Sequence, residues 1–212
     1  MKDWADRLAD IARRAGDEIM TVYTQDFAVT EKADASPLTQ ADLAAHRCIV
    51  SLLPDLNSGL PILSEESAHI DWIARRAWSR YWLVDPLDGT REFIKKNGEF
   101  TVNIALIDCG VPVLGAVYAP AIDWLLVGGH GIGARWQQGA QSGIARVASA
   151  PHPLRVAASR SHRDARTQAY LDRIGSVDTV GLGSSLKFCK IAIGEVDLYP
   201  RFGPTSEWDT AA

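Results

Sequence analysis

Two aspartates three residues apart, Asp85 and Asp88, close a short apolar run in WLVDPLDGTREF (82–93) and bracket Pro86. Pro86 withholds a backbone donor and Gly89 permits dihedrals that other residues resist, so the segment reads as a turn leaving the edge of a sheet. Ligand sites of such sheets gather at strand ends. In that turn the two carboxylates, with the Leu87 carbonyl between them, can converge on one point. A hard divalent cation takes oxygen ligands of this kind, Mg2+ at roughly 2.0–2.1 Å. The same spacing also suits an aspartate capping a helix that begins near Thr90.

Further acids follow the same logic. Glu65 and Glu66 end another apolar run in ILSEES, and adjacent carboxylates at a strand end repel unless a cation or basic group lies between them. Glutamates also favour a helix N-terminus, which accounts for Glu66 and leaves Glu65 free to point elsewhere. Asp209 follows Glu207 and Trp208 in EWDTAA and has the same helix-start alternative. Asp42 stands three residues after Thr39, resembling a capping box with Asp in place of Glu, and capping is compatible with metal duty. Thr90 has no His or Lys beside it in sequence, which favours a water-orienting hydroxyl over a covalent nucleophile. Lys187 and Arg201 are basic candidates for an anionic ligand, each equally readable as a solvated side chain; the SRSHRD group of Arg160, His162 and Arg163 is a second candidate that reads rather as a solvated loop. GGHGIGA lacks the lysine and the strand-to-helix setting of a phosphate loop and reads as a β-turn.

These residues need a scaffold. Trp4, Leu8, Ile11, Ala15, Ile19 and Val22 recur at helical steps, so the chain opens with an amphipathic helix. A second helix is expected from an N-cap at Thr39 to near Pro54. LPILS (60–64) and YWLVD (81–85) read as buried strands with a helix over 65–78 between them. FTVNIALID and VPVLGAVYAP, joined at Cys109 and Gly110, predict a hairpin, and strand and turn continue to residue 136. Segment 137–153 reads as loop. Beyond it come strands at 154–159, 177–183 and 197–202 with helices at 163–174 and 185–196. The pattern is α+β, expected as an N-terminal subdomain over 1–125 with most of the acids and a C-terminal α/β subdomain over 126–212.

Composition narrows the function classes. A net charge of −4 argues against a nucleic-acid polymer as partner, since phosphate-backbone binding needs clustered Lys and Arg. An N-terminal stretch that carries acids and arginines throughout, without an apolar core, is no secretory signal, and no run approaches the ~20 apolar residues of a membrane span. Cys48, Cys109 and Cys189 are scattered singly, as in a reducing cytoplasm. Peripheral membrane attachment and oligomeric state are left open.

The set SEES, DPLDGTREF and EWDTAA, in that order, resembles the lithium-sensitive, Mg2+-dependent phosphatases of the inositol monophosphatase superfamily. The run GSSLKFCKIAIGEVDLYPRFGPTSEWDTAA is similar to its 3'(2'),5'-bisphosphate nucleotidase branch, the CysQ type. The resemblance implies a layered αβαβα sandwich of the inositol monophosphatase and fructose-1,6-bisphosphatase type. It implies two or three Mg2+ ions held by Glu65, Asp85, Asp88, Asp209 and the Leu87 carbonyl, with Thr90 and Glu65 hydrogen-bonded to one another to orient and deprotonate a water. Asp42 would assist, the Gly89 and Thr90 amides would meet the phosphate, and Ser185, Lys187 and Arg201 would hold the nucleotide. The implied reaction converts adenosine 3',5'-bisphosphate to AMP and phosphate, in the setting of sulfur assimilation, with inositol or sugar phosphates as alternative substrates. Two cations about 3.5–4 Å apart suit that chemistry, because they reverse the field of an acidic protein around a polyanion.

Two other classes compete. A haloacid-dehalogenase-type phosphatase also places a nucleophilic aspartate after a strand, but there the acids are spaced one residue closer than Asp85 and Asp88. A metal- or nucleotide-binding module without turnover is the second, because the resemblance implies about a quarter more chain beyond Ala212 and Asp209 would then lie on a very short helix.

Overall fold

The computed structural model of the chain describes residues 1–31, 37–56, 59–67, 70–149, 153–159 and 165–212. Arg160, His162 and Arg163 lie outside the described residues. Helix α1 (Lys2–Tyr23) buries Leu8, Ile11, Ala15 and Ile19, the face its periodicity marks as apolar. Strands β1 (Val29–Glu31) and β2 (Pro37–Thr39) pair antiparallel and lead into α2 (Gln40–Leu52). Thr39 caps α2 as expected: its hydroxyl accepts the Ala41 amide at 3.2 Å, and Asp42 accepts the Thr39 amide at 2.8 Å. Past Leu52 the helix tightens into a 3-10 turn, Leu53–Asp55, because Pro54 cannot continue it.

The centre is a mixed seven-stranded sheet whose spatial order follows the chain: β3 (Ile62–Ser64), β4 (Arg80–Asp88), β5 (Thr101–Asp108), β6 (Val111–Ala119), β7 (Trp124–Gly129), β8 (Gly133–Gln138) and β9 (Gln141–Ile144). Only β3 and β4 run parallel, linked through the short α3 (Trp72–Arg75), and α4 (Thr90–Ile94) follows β4. Alternation along the strands sorts the side chains. Trp82, Val84, Val102, Ile104 and Leu106 join α1 and α2 in the main core, while Leu83, Ala105 and Ile107 turn to the opposite face, under Trp208 and Ala211. A second, two-stranded parallel sheet pairs β10 (Leu154–Ser159) with β11 (Val177–Leu182), connected through α5 (Ala165–Ile174). Helix α6 (Leu186–Ala192) returns the chain to the large sheet, packing Leu186 and Cys189 on Val117, Ala119 and Trp124. Sheets and helices thus stack as an α+β sandwich.

Tertiary pairing overrides local pattern at several points. The helix expected over 65–78 shrinks to α3, because the Glu65 amide is drawn onto the Val84 carbonyl of β4 at 3.0 Å and the Ser67 amide closes a turn on Ser64. Segment 137–153, read as loop, supplies the end of β8 and all of β9, whose pairing partners outweigh its polar composition. The large sheet therefore runs to Ile144, and the division expected after residue 125 falls within β7. The strand expected over 197–202 reduces to one bridge between Leu198 and Val156, since Pro200 has no amide to extend it. No helix among the described residues is long and apolar enough to cross a membrane.

Candidate metal centre

Strand β4 does not end at Asp85 but continues to Asp88, and its register with β5 pairs Asp85 with Asn103 and Asp88 with Thr101. Three steps along β4 match two along β5, which is a one-residue bulge. In a regular strand Asp85 and Asp88 would face opposite sides of the sheet; the bulge turns both to the same side. Pro86 occupies it without loss, since β3 pairs only with Trp82–Val84 and has no acceptor to offer further along. Leu87 anchors the bulge in the main core, and its amide donates to Asp85 Oδ1 at 3.1 Å.

The parallel register of β3 on β4, ending at Ser64 opposite Val84, sets Glu65 beside Asp85. The third element is the 3-10 turn Glu207–Asp209, carried to the same face by Trp208. Asp209 Oδ2 accepts the Thr205 hydroxyl at 2.9 Å and the Ser206 amide at 3.1 Å, so Asp209 is a capping acid and also a cluster member. One carboxylate oxygen from each of Asp85, Asp88 and Asp209 lies within 4.8 Å of the others.

The charges resist this arrangement. Asp85, 1% exposed, has its carboxyl pushed well above the usual range by burial, then by the negative charges of Glu65, Asp88 and Asp209 and a hydrogen bond with Glu65. Burial is also the largest influence on Asp88, raised to about 6; Asp209 adds to the rise, while the Ser184 hydroxyl, Lys187 and the Ser185 amide oppose it. Hard oxygen donors on three separate elements, held together against their own repulsion, fit a hard divalent cation and little else. Asp85, Asp88 and Asp209, with Glu65 and the Leu87 carbonyl adjoining, are the residues that could hold it.

The structure brings some of the remaining candidates to this centre and turns others inward. Gly89, at φ 91, makes the left-handed turn that starts α4 directly after Asp88. Thr90, which the resemblance pairs with Glu65, opens α4 immediately after Gly89. Its hydroxyl lies 3.3 Å from Asp42 Oδ1 and 3.4 Å from the Leu87 carbonyl, because the capping box fixes Asp42 against the first turn of α4. Ser185 is buried, its amide 2.6 Å from Asp88 Oδ2 and its hydroxyl 2.8 Å from Asn103 Oδ1. Lys187 is only 5% exposed; its amine donates to the Leu182 and Ser184 carbonyls and lies 5.2 Å from the Tyr199 ring centroid. Burial lowers its pKa, against the pull of Asp88. Arg201 donates to the Tyr199 hydroxyl and the Pro204 carbonyl rather than to Glu207 or Asp209, and Arg75 takes Glu207 at 2.8 Å. Ser184, absent from the sequence candidates, donates to Asp88 Oδ2 at 2.7 Å. Its only sequence signal was the doubled serine of GSSLK at a strand-to-helix junction.

The inositol monophosphatase family pattern matches residues 2–212. Over 209 residues the chain is 52% identical to the 3'(2'),5'-bisphosphate nucleotidase CysQ of Escherichia coli (strain K12), covering 98% of this chain and 84% of that protein. It is 33% identical over 204 residues to the CysQ nucleotidase of Haemophilus influenzae, covering 95% and 76%. Among solved structures, CysQ from Bacteroides thetaiotaomicron superposes with a TM-score of 0.86 at 42% identity, over 98% of this chain and 83% of that one. An IMPase from Thermotoga maritima superposes with a TM-score of 0.80 at 25% identity, over 99% and 80%. With the acids of SEES, DPLDGT and EWDTAA meeting on a fold shared at this level of identity, the chain belongs to the inositol monophosphatase family.

Proposed function

We propose that this chain is a Mg2+-dependent phosphatase that removes the 3'-phosphate of adenosine 3',5'-bisphosphate, leaving AMP and phosphate. The observation that carries the phosphatase reading is the convergence of Asp85, Asp88 and Asp209 on one point within 4.8 Å. The nucleotide as substrate rests on the 52% identity with proteins named as 3'(2'),5'-bisphosphate nucleotidases. Bound among these acids, Mg2+ would supply the positive charge that draws a phosphate dianion and eases the loss of a proton from water.

The protein's own groups do the rest. Asp85, Asp88, Asp209, Glu65 and the Leu87 carbonyl would hold the ions. Thr90, its hydroxyl directed by Asp42 and Leu87, orients the attacking water; Glu65, at the rim beside Asp85, receives its proton. The amides of Gly89 and Thr90, at the opening of α4, meet the phosphate oxygens. Ser185 and Lys187, being buried and hydrogen-bonded internally, support the segment against Asp88 rather than grip the nucleotide. Arg201 keeps the place of a nucleotide contact. The free cysteines fit a cytoplasmic setting, and peripheral membrane attachment gains no support from the described residues.

Phosphate release from adenosine 3',5'-bisphosphate and from inositol 1-phosphate, with Mg2+ and with or without Li+, tests this reading, with Asp88→Asn as the blank. Release selective for the nucleotide, suppressed by Li+ and lost in the variant, is expected. Preference for inositol 1-phosphate would overturn the substrate; release equal in the variant would overturn the site.

A further inference from the structure

Ser184 occupies a left-handed backbone conformation, φ 52, which side chains with a Cβ adopt at a cost and glycine adopts freely. The preceding Gly183 is fixed by packing, because a Cβ there would lie 2.8 Å from the Glu99 carbonyl. The strained turn is clamped from inside: the buried Lys187 amine donates to the carbonyls of both Leu182 and Ser184, and the Gly183 amide donates to Glu99 Oε2 at 2.8 Å. What the turn presents is a donor pair. The Ser184 hydroxyl, at 2.7 Å, and the Ser185 amide, at 2.6 Å, both end on Asp88 Oδ2. The Thr101 hydroxyl lies 2.6 Å from that of Ser184 and adds a further contact to the turn. Asp88 Oδ2 thus accepts two donors from one turn, while a carboxylate oxygen of Asp88 takes part in the cluster with Asp85 and Asp209.

We infer that Ser184 is a positioning residue for the metal centre: the turn between β11 and α6 is held in a strained conformation so that Ser184 orients Asp88 towards the cation. The inference rests on the metal-dependent reading of the site given above. Groups that orient a ligand from behind typically set metal affinity by 10–100-fold. A purely structural role gives the opposite expectation at one substitution, since glycine relieves the strain at φ 52.

The decisive variants are Ser184→Gly and Ser184→Ala in the full chain, with Mn2+ as the binding probe, read by electron paramagnetic resonance and calorimetry beside thermal melting without metal. Expected is a Ser184→Gly protein that melts at the same or a higher temperature than the parent yet binds Mn2+ about tenfold or more weakly, with a matching rise in the Mg2+ needed for phosphate release. Ser184→Ala should lose the same affinity. Mn2+ affinity within twofold of the parent in a folded Ser184→Gly protein would overturn the inference while leaving the phosphatase reading intact. A parent chain that binds no Mn2+ and releases no phosphate would overturn both.

Discussion

Glu65 and Asp85 lie side by side at the ends of two parallel strands and share a hydrogen bond, an arrangement that two ionised carboxylates cannot make. Either a proton or a cation must sit between them. This yields an expectation for the metal-free protein. A carboxyl whose folded pKa lies above its unfolded value contributes stability that is complete below the unfolded value and lost as pH rises through the folded one. Asp85 is raised well above the ordinary value of 3.8, and Asp88 to about 6. In EDTA the melting temperature should therefore rise as pH falls from 8 to 5.5, and added Mg2+ should stabilise the protein more at pH 8 than at 5.5. A melting temperature in EDTA that is flat or falls over this window would refute the account.

Asp85→Asn should separate stability from function. Removing one buried charge from the repelling set raises the metal-free melting temperature at pH 8 by a few degrees, about 1 kcal/mol for a domain of this size. The same change should abolish stabilisation by Mg2+ and cut phosphate release by at least about 100-fold. Thermal melts with and without Mg2+, beside the release assay, check both halves; an unchanged response to Mg2+ would remove Asp85 from the metal centre.

The Thr90 hydroxyl, within reach of Asp42 and the Leu87 carbonyl, is expected to act on turnover rather than on stability. Thr90→Ala should lower kcat by about 100-fold with little change in melting, and Thr90→Ser should restore most of it. Asp42→Asn differs, because Asp42 also accepts the Thr39 amide in the helix cap; it should lose both rate and about 1 kcal/mol of stability. Equal kcat in Thr90→Ala and the parent would exclude the orienting role.

Lys187→Met keeps the length of the buried side chain but deprives the Leu182 and Ser184 carbonyls of their donor. The loss should be about 1–3 kcal/mol in urea unfolding, since a buried acceptor is left without a partner. Nucleotide KM should change little if Lys187 supports the fold; a large rise in KM at unchanged stability would return Lys187 to the nucleotide site.

Trp208 reaches the site through packing. It lies over Leu63, Leu83, Ala105 and Ile107, and its neighbour Asp209 completes the acid cluster. Trp208→Ala should destabilise the chain by about 2 kcal/mol, less than a fully buried tryptophan, and weaken Mn2+ binding with it. Stability lost with no change in Mn2+ affinity would show that Asp209 is held by its capping bonds alone.

Sequence periodicity alone determined α1, α2 and the β5–β6 hairpin, because an amphipathic repeat or a turn at Cys109 and Gly110 is a local property. The types and order of the acids were equally legible: Glu65, Asp85, Asp88 and Asp209 stood out because charged groups beside apolar runs need an explanation. Their convergence was not. It depends on a bulge opposite Asn103 and Thr101, on the parallel register that sets Glu65 against Asp85, and on Trp208 packing across the sheet. Segment 65–78 looked helical and 137–153 looked like loop because neither shows in sequence the strand it will pair with. Ser184 escaped notice for the same reason. Sequence decided which residues could carry chemistry, through their types and local periods; only the tertiary structure decided which carboxylate faces which donor, because register and packing join residues far apart in the chain, Ser185 and Asp88 being separated by 97 positions.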